Sequence, residues 1–245
     1  MIELLKNGSD ELGIEINNSQ IDALCKYAEL LVEWNKKINL TAITDKDSIA
    51  TKHFLDSMSA ITTGFVQGKI IDVGCGAGFP GLVLKIANPD LNLTLLDSLN
   101  KRINFLNEVI SDLKIDGVQT VHGRAEDYAR QMREKFDTVV SRAVANMTVL
   151  SELCIPFLKT GGYFLALKGP LADEELKDAH RAIHILGGEV IEVKNIHIPN
   201  TDLNHKIIII KKVRHTPIQY PRKAGIVTKN PIDSCYNIKQ IKKKK

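Results

Sequence analysis

The 245-residue sequence contains no long apolar run, and aromatic residues make up only 5% of it. No stretch approaches the ~18 uninterrupted apolar residues that a membrane-spanning helix needs, so a membrane partner is not expected. The first sixteen residues are acidic and interrupted, without the basic-then-apolar order of a secretory signal. The low aromatic content also argues against a broad platform for stacking bases. We therefore expect a soluble cytoplasmic protein.

The cysteines and histidines do not form a recognisable metal or disulfide pattern. The four cysteines are far apart and include no Cys-x-x-Cys pair, which argues against a disulfide scaffold and a zinc ribbon. His180 and His184 stand four residues apart on a predicted helix, but no third ligand lies near them in the sequence. A protein without a bound metal is expected.

Basic residues are concentrated towards the end of the sequence. Residues 206–245 contain 12 of the 33 Lys and Arg residues and one of the 29 Asp and Glu residues. The remainder holds 21 basic and 28 acidic residues, so an acidic body carries a basic arm. Such an arm is expected to bind nucleic acid through counterion release, and a disordered solubilising terminus is the alternative. The predicted RNA-binding residues of the arm are Arg214, Arg222 and Lys223.

From residue 67 onward, short apolar runs alternate with amphipathic segments, as in a parallel α/β sheet. The predicted strands are residues 69–73, 92–96, 118–122, 136–141, 163–168, 190–198 and 206–213. The predicted helices are residues 82–87, 101–113, 150–158 and 173–186. The short connection between the last two strands indicates that they are antiparallel to each other.

The first 60 residues lack this alternation and are predicted to be helical. Ser19 is the expected N-cap of a helix whose apolar face runs from Ile21 to Trp34. A second helix is expected at residues 47–54. The predicted organisation is an N-terminal helical cap (1–66), a Rossmann-like domain (67–213) and a basic C-terminal arm (214–245).

A glycine-rich turn joins the first predicted strand to the next helix. Its residues Gly74, Gly76 and Gly78 permit a tight turn and let a ligand lie against the main chain. Read from Gly76, the segment matches the Gly-x-Gly-x-x-Gly dinucleotide fingerprint, with Asp97 where a ribose-binding acid belongs. This pattern alone fits both NAD and S-adenosylmethionine.

The carboxylates around the turn favour S-adenosylmethionine over NAD. Asp72 lies at the end of a buried strand, where a charge is costly unless a cation or hydrogen bonds compensate it. It would repel a pyrophosphate but attract the ammonium and sulfonium groups of S-adenosylmethionine. Glu126 follows the third strand at the same edge of the sheet, where it or Asp127 is expected to accept from an adenine amino group. Capping of the next helix is the alternative for both.

The segment after the fourth strand favours methylation of a ring nitrogen. It lacks the Asn/Asp-Pro-Pro-aromatic turn that holds an exocyclic amine during methylation. Cys154 lies in an apolar helix pattern and is interpreted as a packed thiol, not as the nucleophile of pyrimidine C5 methylation. Guanine N7 needs neither device, because its lone pair is free to attack and alignment alone can contribute ~7–11 kcal/mol.

Residues at the ends of later strands complete the candidate site. Arg142 is expected to face the methyl donor or the O6 and N7 edge of guanine, and an ion pair with a site acid is weighed equally. Lys168 is the predicted contact for an RNA phosphate, with a solvated lysine as the alternative. His53 and Asp56 either close the site or, as we favour, pair with each other and fix the helical cap to the body.

With these residues assembled, the sequence resembles the glucose-inhibited-division protein B family, the small-subunit ribosomal RNA methyltransferase G enzymes. The matching segments are WNKKINLT (34–41), HFLDS (53–57), DVGCGAGFPG (72–81), LDSLNKR (96–102), GRAE (123–126), SRAVA (141–145), ALKG (166–169) and YPRKAG (220–225). Only the glycine loop among them is generic, so the combination is specific.

The resemblance implies a class I S-adenosylmethionine-dependent methyltransferase with a seven-stranded, mostly parallel α/β sheet. It implies methyl transfer to N7 of one guanosine in 16S ribosomal RNA or a small-subunit precursor, in the cytoplasm. Separately from the resemblance, we expect a monomer. The family's cofactor contacts fall on Gly74, Phe79, Ala125, Glu126 and Arg142, to which our interpretation adds Asp72, Gly76, Gly78 and Asp97.

Three other functions remain as alternatives. A small-molecule methyltransferase is disfavoured by the basic arm, and an NAD-dependent oxidoreductase is disfavoured by Asp72. A non-catalytic RNA-binding factor is disfavoured because the acids around the glycine loop are intact.

Overall fold

The computed structural model describes residues 1–142 and 144–232. Within them, the strands are β1 (Lys69–Val73), β2 (Asn92–Asp97), β3 (Val118–His122), β4 (Phe136–Arg142), β5 (Leu158–Lys168), β6 (Gly188–His197) and β7 (Asn204–Lys212). These strands form one sheet in the order β3-β2-β1-β4-β5-β7-β6.

The sheet is parallel except for β7, which is antiparallel to both β5 and β6. The predicted seven-stranded, mostly parallel α/β fold is therefore confirmed, as is the antiparallel last pair. Because β1 lies between β2 and β4, the chain crosses to opposite sides of β1, and a crevice forms at the carboxyl ends of these strands.

Helices cover both faces of the sheet. In the described residues they are α1 (Ile2–Glu11), α2 (Asn18–Asn35), α3 (Lys46–Ile49), α4 (Asp56–Met58), α5 (Gly81–Ala87), α6 (Asn100–Asp112), α7 (Ala125–Gln131), α8 (Met147–Cys154), α9 (Ala172–Ile185) and α10 (Ile226–Lys229). A π-helical turn (Ala50–Leu55) joins α3 to α4, and 3₁₀ turns follow α4 (Ser59–Thr63) and α8 (Ile155–Phe157).

Alternation along the strands gives the protein a core on each face. Ile70 packs in a cluster with the N-terminal helices, α5 and α6, whereas Ile71 packs in a cluster with α8 and α9. In β7, Ile207 joins the first cluster and Ile208 the second. The first cluster also contains Leu5 of α1, so the N-terminal helices share a continuous core with the sheet.

The N-terminal region differs from the prediction at its caps. The N-cap of α2 is Asn17, whose side chain accepts from the Gln20 amide while the Gln20 side chain accepts from the Asn17 amide. Ser19 is therefore not the cap, because the Asn17–Gln20 pair already satisfies the first amides. The helix α1 was not predicted, and the helical stretch predicted at 47–54 extends over residues 46–63.

Strand β5 is longer than predicted. It begins at Leu158, five residues before the predicted start at residue 163, so Thr160 to Gly162 lie within the strand. The register with β4 shifts between Phe136 and Thr138, which accommodates the extra residues as an irregularity of the ladder. The preceding helix, α8, consequently ends at Cys154, four residues before the predicted end.

The described part of the basic arm packs against the body. The Arg133 guanidinium donates to the carbonyls of Thr216, Pro217 and Tyr220. Arg222 forms an ion pair with the fully buried carboxylate of Glu152, and its backbone amide donates to the same group at 2.8 Å. Residues 214–232 thus form a docked segment. The lysine-rich end of the arm and Cys235 lie outside the described residues.

We expect Arg222→Met to destabilise the protein by about 3–5 kcal/mol, because it leaves the buried Glu152 carboxylate without its cation. Urea unfolding measures the change in the free energy of unfolding. Lys223→Met removes an exposed charge next to it and serves as the matched control, with a change of about 0.5 kcal/mol or less. Equal losses in the two variants would contradict the prediction.

Candidate functional site

A cavity of about 480 Å³, the first cavity, lies at the carboxyl ends of β1, β2 and β3. Its volume is within the range of small-ligand sites. Its walls include Val73, Gly74, Asp97, Ser98, Ala125, Glu126, Val144, Ala145, Asn146 and Thr228. The crevice expected from the order of the strands is therefore present, and the docked C-terminal segment contributes Thr228 to its wall.

The structure divides the predicted cofactor residues into two groups. Gly74, Asp97, Ala125 and Glu126 line the first cavity. The other predicted contacts are not among its lining residues: Asp72, Gly76, Gly78, Phe79 and Arg142. Gly76 and Gly78 belong to the glycine loop itself, and Asp72 lies behind it. Arg142 lines a neighbouring cavity, and Phe79 contacts Arg142 there.

Asp97 holds the glycine loop in place. One carboxylate oxygen, Oδ2, accepts from the Gly76 amide at 2.9 Å and from the Arg102 guanidinium at 3.2 Å. The other, Oδ1, accepts from the Leu99 amide at 2.9 Å. Gly76 has a φ of +59°, and a Cβ built there would meet nothing within 4 Å. Asp97 therefore has a structural role in the loop in addition to facing the cavity.

Gly78 makes room for the helical cap. A Cβ at this position would collide with the Tyr27 hydroxyl, which donates to the Ala77 carbonyl, and would lie 2.8 Å from Leu106. Its φ of +95° also favours glycine. The glycine loop is thus supported from behind by α2.

Asp72 is a fully buried carboxylate with one unused oxygen. Its Oδ2 accepts from the Gly81 amide at 2.7 Å, where α5 begins, and its Oδ1 has no partner among the described residues. Burial raises the pKa of Asp72 to about 7, and the Gly81 bond offsets this only in part. A cation bound near β1 would stabilise the ionised form.

Glu126 is a buried acceptor at the cavity wall. No hydrogen bond or ion pair engages its carboxylate within residues 1–142 and 144–232, although its residue is only 7% exposed. Glu126 is the second residue of α7, which has Arg124 as N-cap and no side-chain cap bond, so neither Glu126 nor Asp127 acts as the cap. Its carboxylate therefore remains available to a ligand.

These features fit S-adenosylmethionine. Gly74 has a φ of +71°, and a Cβ there would lie 2.6 Å from Val144, so bare main chain is required at this wall. Two acidic side chains, Asp97 and Glu126, line the cavity, and the orphaned oxygen of Asp72 lies behind it. A cationic ligand with amino and hydroxyl donors matches this set of acceptors.

A second cavity, of about 580 Å³, adjoins the first, and Val144 and Ala145 line both. Its other lining residues are Lys52, His53, Asp56, Arg142, Leu167, Lys168, Gly169, Glu175 and His205. It therefore lies between the N-terminal helices and the ends of β4, β5 and β7.

Arg142 is fixed by the N-terminal helices. Its Nη1 donates to Asp56 Oδ2 at 2.6 Å and to the Lys52 carbonyl at 3.2 Å, and its Nη2 lies 3.2 Å from His53 Nδ1. The guanidinium also lies over the ring of Phe79, 5.0 Å from its centroid. Of the two roles weighed for Arg142, the ion pair with an acid is therefore present. Phe79 supports Arg142 and stacks on His53.

Asp56 binds Arg142 and His205 and does not pair with His53. Its Oδ1 lies 2.6 Å from Nδ1 of His205, while His53 Nε2 instead contacts Thr41 Oγ1 at 2.8 Å. Burial opposes ionisation of Asp56, but His205 and Arg142 outweigh it and hold its pKa below the ordinary value. The predicted pairing of His53 with Asp56 is thus wrong, although both residues connect the cap to the body through Arg142.

Burial and the neighbouring Arg142 lower the pKa of His53 to about 4, so this histidine is neutral near pH 7. The hydrogen bond to Asp56 raises the pKa of His205. The pKa values of the two histidines in the second cavity therefore shift in opposite directions, because only His205 contacts a carboxylate directly.

Lys168 differs from its predicted role. Its ammonium donates to the Ala145 carbonyl at 2.5 Å and to Glu175 Oε2 at 2.7 Å, and its side chain is 7% exposed. An ammonium held inward in this way is poorly placed for an RNA phosphate. Among the residues predicted to bind RNA, Arg222 is paired with Glu152, Arg214 donates to the His184 carbonyl, and Lys223 is exposed.

Sequence reasoning missed Glu175, His205 and Thr228. His205 lies 149 residues from Asp56, its partner, so no local pattern indicates the contact. Glu175 belongs to an acidic first turn, which in sequence is indistinguishable from ordinary helix-dipole compensation. Thr228 reaches the first cavity only because the arm docks on the body.

The remaining candidates behave as packing residues. Cys75 and Cys154 are buried, and burial raises the pKa of both thiols well above the ordinary value, which fits inert side chains. The described residues include no group of three or more His, Cys, Asp or Glu side chains that could hold a metal ion. No described helix is both long and apolar enough to cross a membrane.

Comparison with known proteins identifies a protein family and individual relatives that are similar to this chain. A family model described as GidB, rRNA small subunit methyltransferase G, matches residues 20–204. A ribosomal RNA small subunit methyltransferase G of Alkaliphilus oremlandii (strain OhILAs) is 53% identical over 234 residues, which is 94% of this chain and 98% of that protein. A protein of the same name from Clostridium novyi (strain NT) is 49% identical over 94% of this chain and 96% of its own length.

Among solved structures, the precorrin-6y C5,15-methyltransferase of Geobacter metallireducens GS-15 is similar with a TM-score of 0.52. It is 15% identical in sequence, and the match covers 73% of this chain and 95% of that chain. This similarity supports the fold alone.

We expect Gly74→Ala to weaken S-adenosylmethionine binding at least tenfold, because its Cβ would collide with Val144 in the cavity wall. Isothermal titration calorimetry measures the Kd. Gly64→Ala is the matched control: Gly64 has a similar φ of +76° but no atom within 4 Å of an added Cβ. Both variants carry the strain of a left-handed alanine, about 1–2 kcal/mol. An equal affinity in the two variants would contradict a ligand against Gly74.

We expect Asp72→Asn to stabilise the ligand-free protein increasingly as the pH rises from 4 to 7. The pKa of Asp72 is about 7 in the folded protein against 3.8 for the ordinary carboxyl. As the pH rises from 4 to 7, the carboxyl therefore ionises more readily in the unfolded chain, and the free energy of unfolding of the wild-type protein falls. The loss is about 4 kcal/mol above pH 7. Asparagine keeps an acceptor for the Gly81 amide. Urea unfolding at pH 5 and pH 8 measures the difference, and a pH-independent difference would refute the prediction.

Proposed function

Because the chain belongs to the rRNA small subunit methyltransferase G family of S-adenosylmethionine-dependent enzymes, we propose that it methylates N7 of one guanosine in 16S ribosomal RNA. The observation that carries this proposal is the pair of adjoining cavities at one edge of the sheet, with Val144 and Ala145 in the wall of both. One cavity has the acceptors for a cationic donor, and the other is large enough for a base.

We assign the donor to the first cavity. Gly74 and Ala125 would present main chain to it, and the unengaged carboxylate of Glu126 would accept from its amino group. Asp97 Oδ1 accepts one bond, from the Leu99 amide, so its second lone pair would accept from a hydroxyl of the donor. The buried Asp72 would act through its charge, from behind the glycine loop. When bound, S-adenosylmethionine would supply a methyl group on a positively charged sulfur. As N7 forms its bond to the methyl carbon, the C–S bond would break and its electron pair would remain on the sulfur.

The residues of the second cavity support catalysis by positioning. Asp56 has both oxygens engaged, by Arg142 and His205, and both ring nitrogens of His53 have partners. These groups are therefore committed to holding the wall in place. N7 of guanine has a free lone pair and loses no proton on methylation, so alignment of the base is the main requirement.

RNA binding would rest on charge and shape. Lys223 and Lys229 are exposed on the docked segment, and the lysines of residues 233–245 add positive charge in the sequence. Contacts with phosphates hold RNA without reading its sequence, so the target base must be displaced into the site. We also propose that the enzyme is a cytoplasmic monomer.

The proposal is tested by incubating the protein and labelled S-adenosylmethionine with small ribosomal subunits, free 16S RNA and small guanine nucleotides. We expect one methyl group per RNA molecule, recovered after digestion as 7-methylguanosine, and no transfer to the nucleotides. The Gly74→Ala protein is the control for donor binding. Methylation of an exocyclic amine, of a pyrimidine or of the free nucleotides would contradict the proposal.

A further inference from the structure

We infer that the second cavity holds the target guanine and that Glu175 reads the Watson–Crick edge of the base. This inference rests on the function proposed above. Glu175 lies in α9, outside both the glycine loop and the basic arm. The inference follows from comparing which polar groups of the cavity already have hydrogen-bond partners and which do not.

The reaction restricts the edge of guanine that the protein can read. N7 must keep its lone pair free for the methyl group, so a donor such as Arg142 cannot occupy it. The opposite, Watson–Crick edge carries two donors, N1–H and the 2-amino group. A protein that selects guanine at this edge therefore needs an acceptor, and a carboxylate accepts without offering a competing donor.

Glu175 provides the available carboxylate oxygen. Two acids line the second cavity, and both oxygens of Asp56 are bound to Arg142 and His205. Glu175 uses only Oε2, which accepts from Lys168 and from the Met147 amide. Within the described part of the chain, its Oε1 has no hydrogen-bond partner, and its side chain is 27% exposed.

Two hydrogen bonds fix the orientation of the Glu175 carboxylate in the wall of the second cavity. Its Oε2 accepts from the Met147 amide at 2.9 Å, where α8 begins, and from Lys168 at 2.7 Å. Lys168 in turn donates to the carbonyl of Ala145, which lies in the wall shared by the two cavities. The carboxylate is therefore oriented before any base arrives, which lowers the cost of binding.

The charge of Glu175 also suits the chemistry. Forming the N7–methyl bond while the C–S bond breaks moves one positive charge from the donor onto the purine. A carboxylate placed at the edge of the ring stabilises this charge as it develops. Adenine would present an N1 lone pair to the same oxygen, and the repulsion between two acceptors would disfavour it.

The test compares particles in which the target guanosine, mapped with the wild-type enzyme, is retained or replaced by adenosine. We expect the wild-type enzyme to prefer guanosine by at least 100-fold in kcat/KM. Glu175→Gln can both donate and accept, so we expect it to lower this ratio at least tenfold. Glu174→Gln, a change in the exposed neighbouring acid, should leave the ratio within twofold of wild type. Any effect of the adenosine on RNA folding is the same for every enzyme variant, because all variants are assayed on the same particles. It therefore cancels when the ratios of the variants are compared.

The ratio separates reading of the base from a structural role. If Glu175 only holds Lys168 and α8, its replacement would lower both rates equally and leave the ratio unchanged, which would overturn the inference. Should Glu175→Gln fail to fold, Glu175→Ala, which removes the acceptor, is measured in its place, with the same readout and the same contradicting result. A wild-type product other than 7-methylguanosine would instead overturn the proposed function, and this inference with it.

Discussion

The buried ion pair between Asp56 and Arg142 is the contact on which the arrangement of the site depends. Asp56 belongs to the N-terminal helices, Arg142 ends β4, and His205, which binds the other oxygen of Asp56, lies in β7. Three distant parts of the chain are thereby fixed around one carboxylate. Removing such a charge from water is costly, and the Arg142 guanidinium and the hydrogen bond with His205 offset this cost. The second cavity exists because this contact holds its walls.

Parallel strands explain why both cavities lie at one edge of the molecule. The carboxyl ends of β1, β2 and β3 border the first cavity, and those of β4 and β5 border the second. The glycine loop between them is held from two sides, by Asp97 in front and by Tyr27 of α2 behind. The cap and the sheet therefore act as one rigid support, which suits a reaction that depends on alignment.

The sequence predicted the parts of this site that depend on local patterns. Buried β-strands give continuous apolar runs, and a glycine turn is recognisable because glycine adopts the φ of Gly74 without the strain that a side chain brings. Contacts between distant residues left no such signal: the partners of Asp56 and the pairing of Arg222 with Glu152 were not predictable. The position of Lys168 at the end of a strand beside the site predicts a contact with RNA phosphate, whereas the fold places Glu175 beside its ammonium.

Thr228 gives the docked C-terminal segment a part in the wall of the first cavity. In sequence the basic segment after β7 resembles a separable extension, yet Thr228 forms part of the first cavity and Val227 beside it is fully buried. A cut after residue 213 would thus open one side of the methyl-donor compartment as well as discarding positive charge. Affinity for the donor and affinity for the nucleic acid consequently share a structural element, so a shortened protein would not report on either one in isolation.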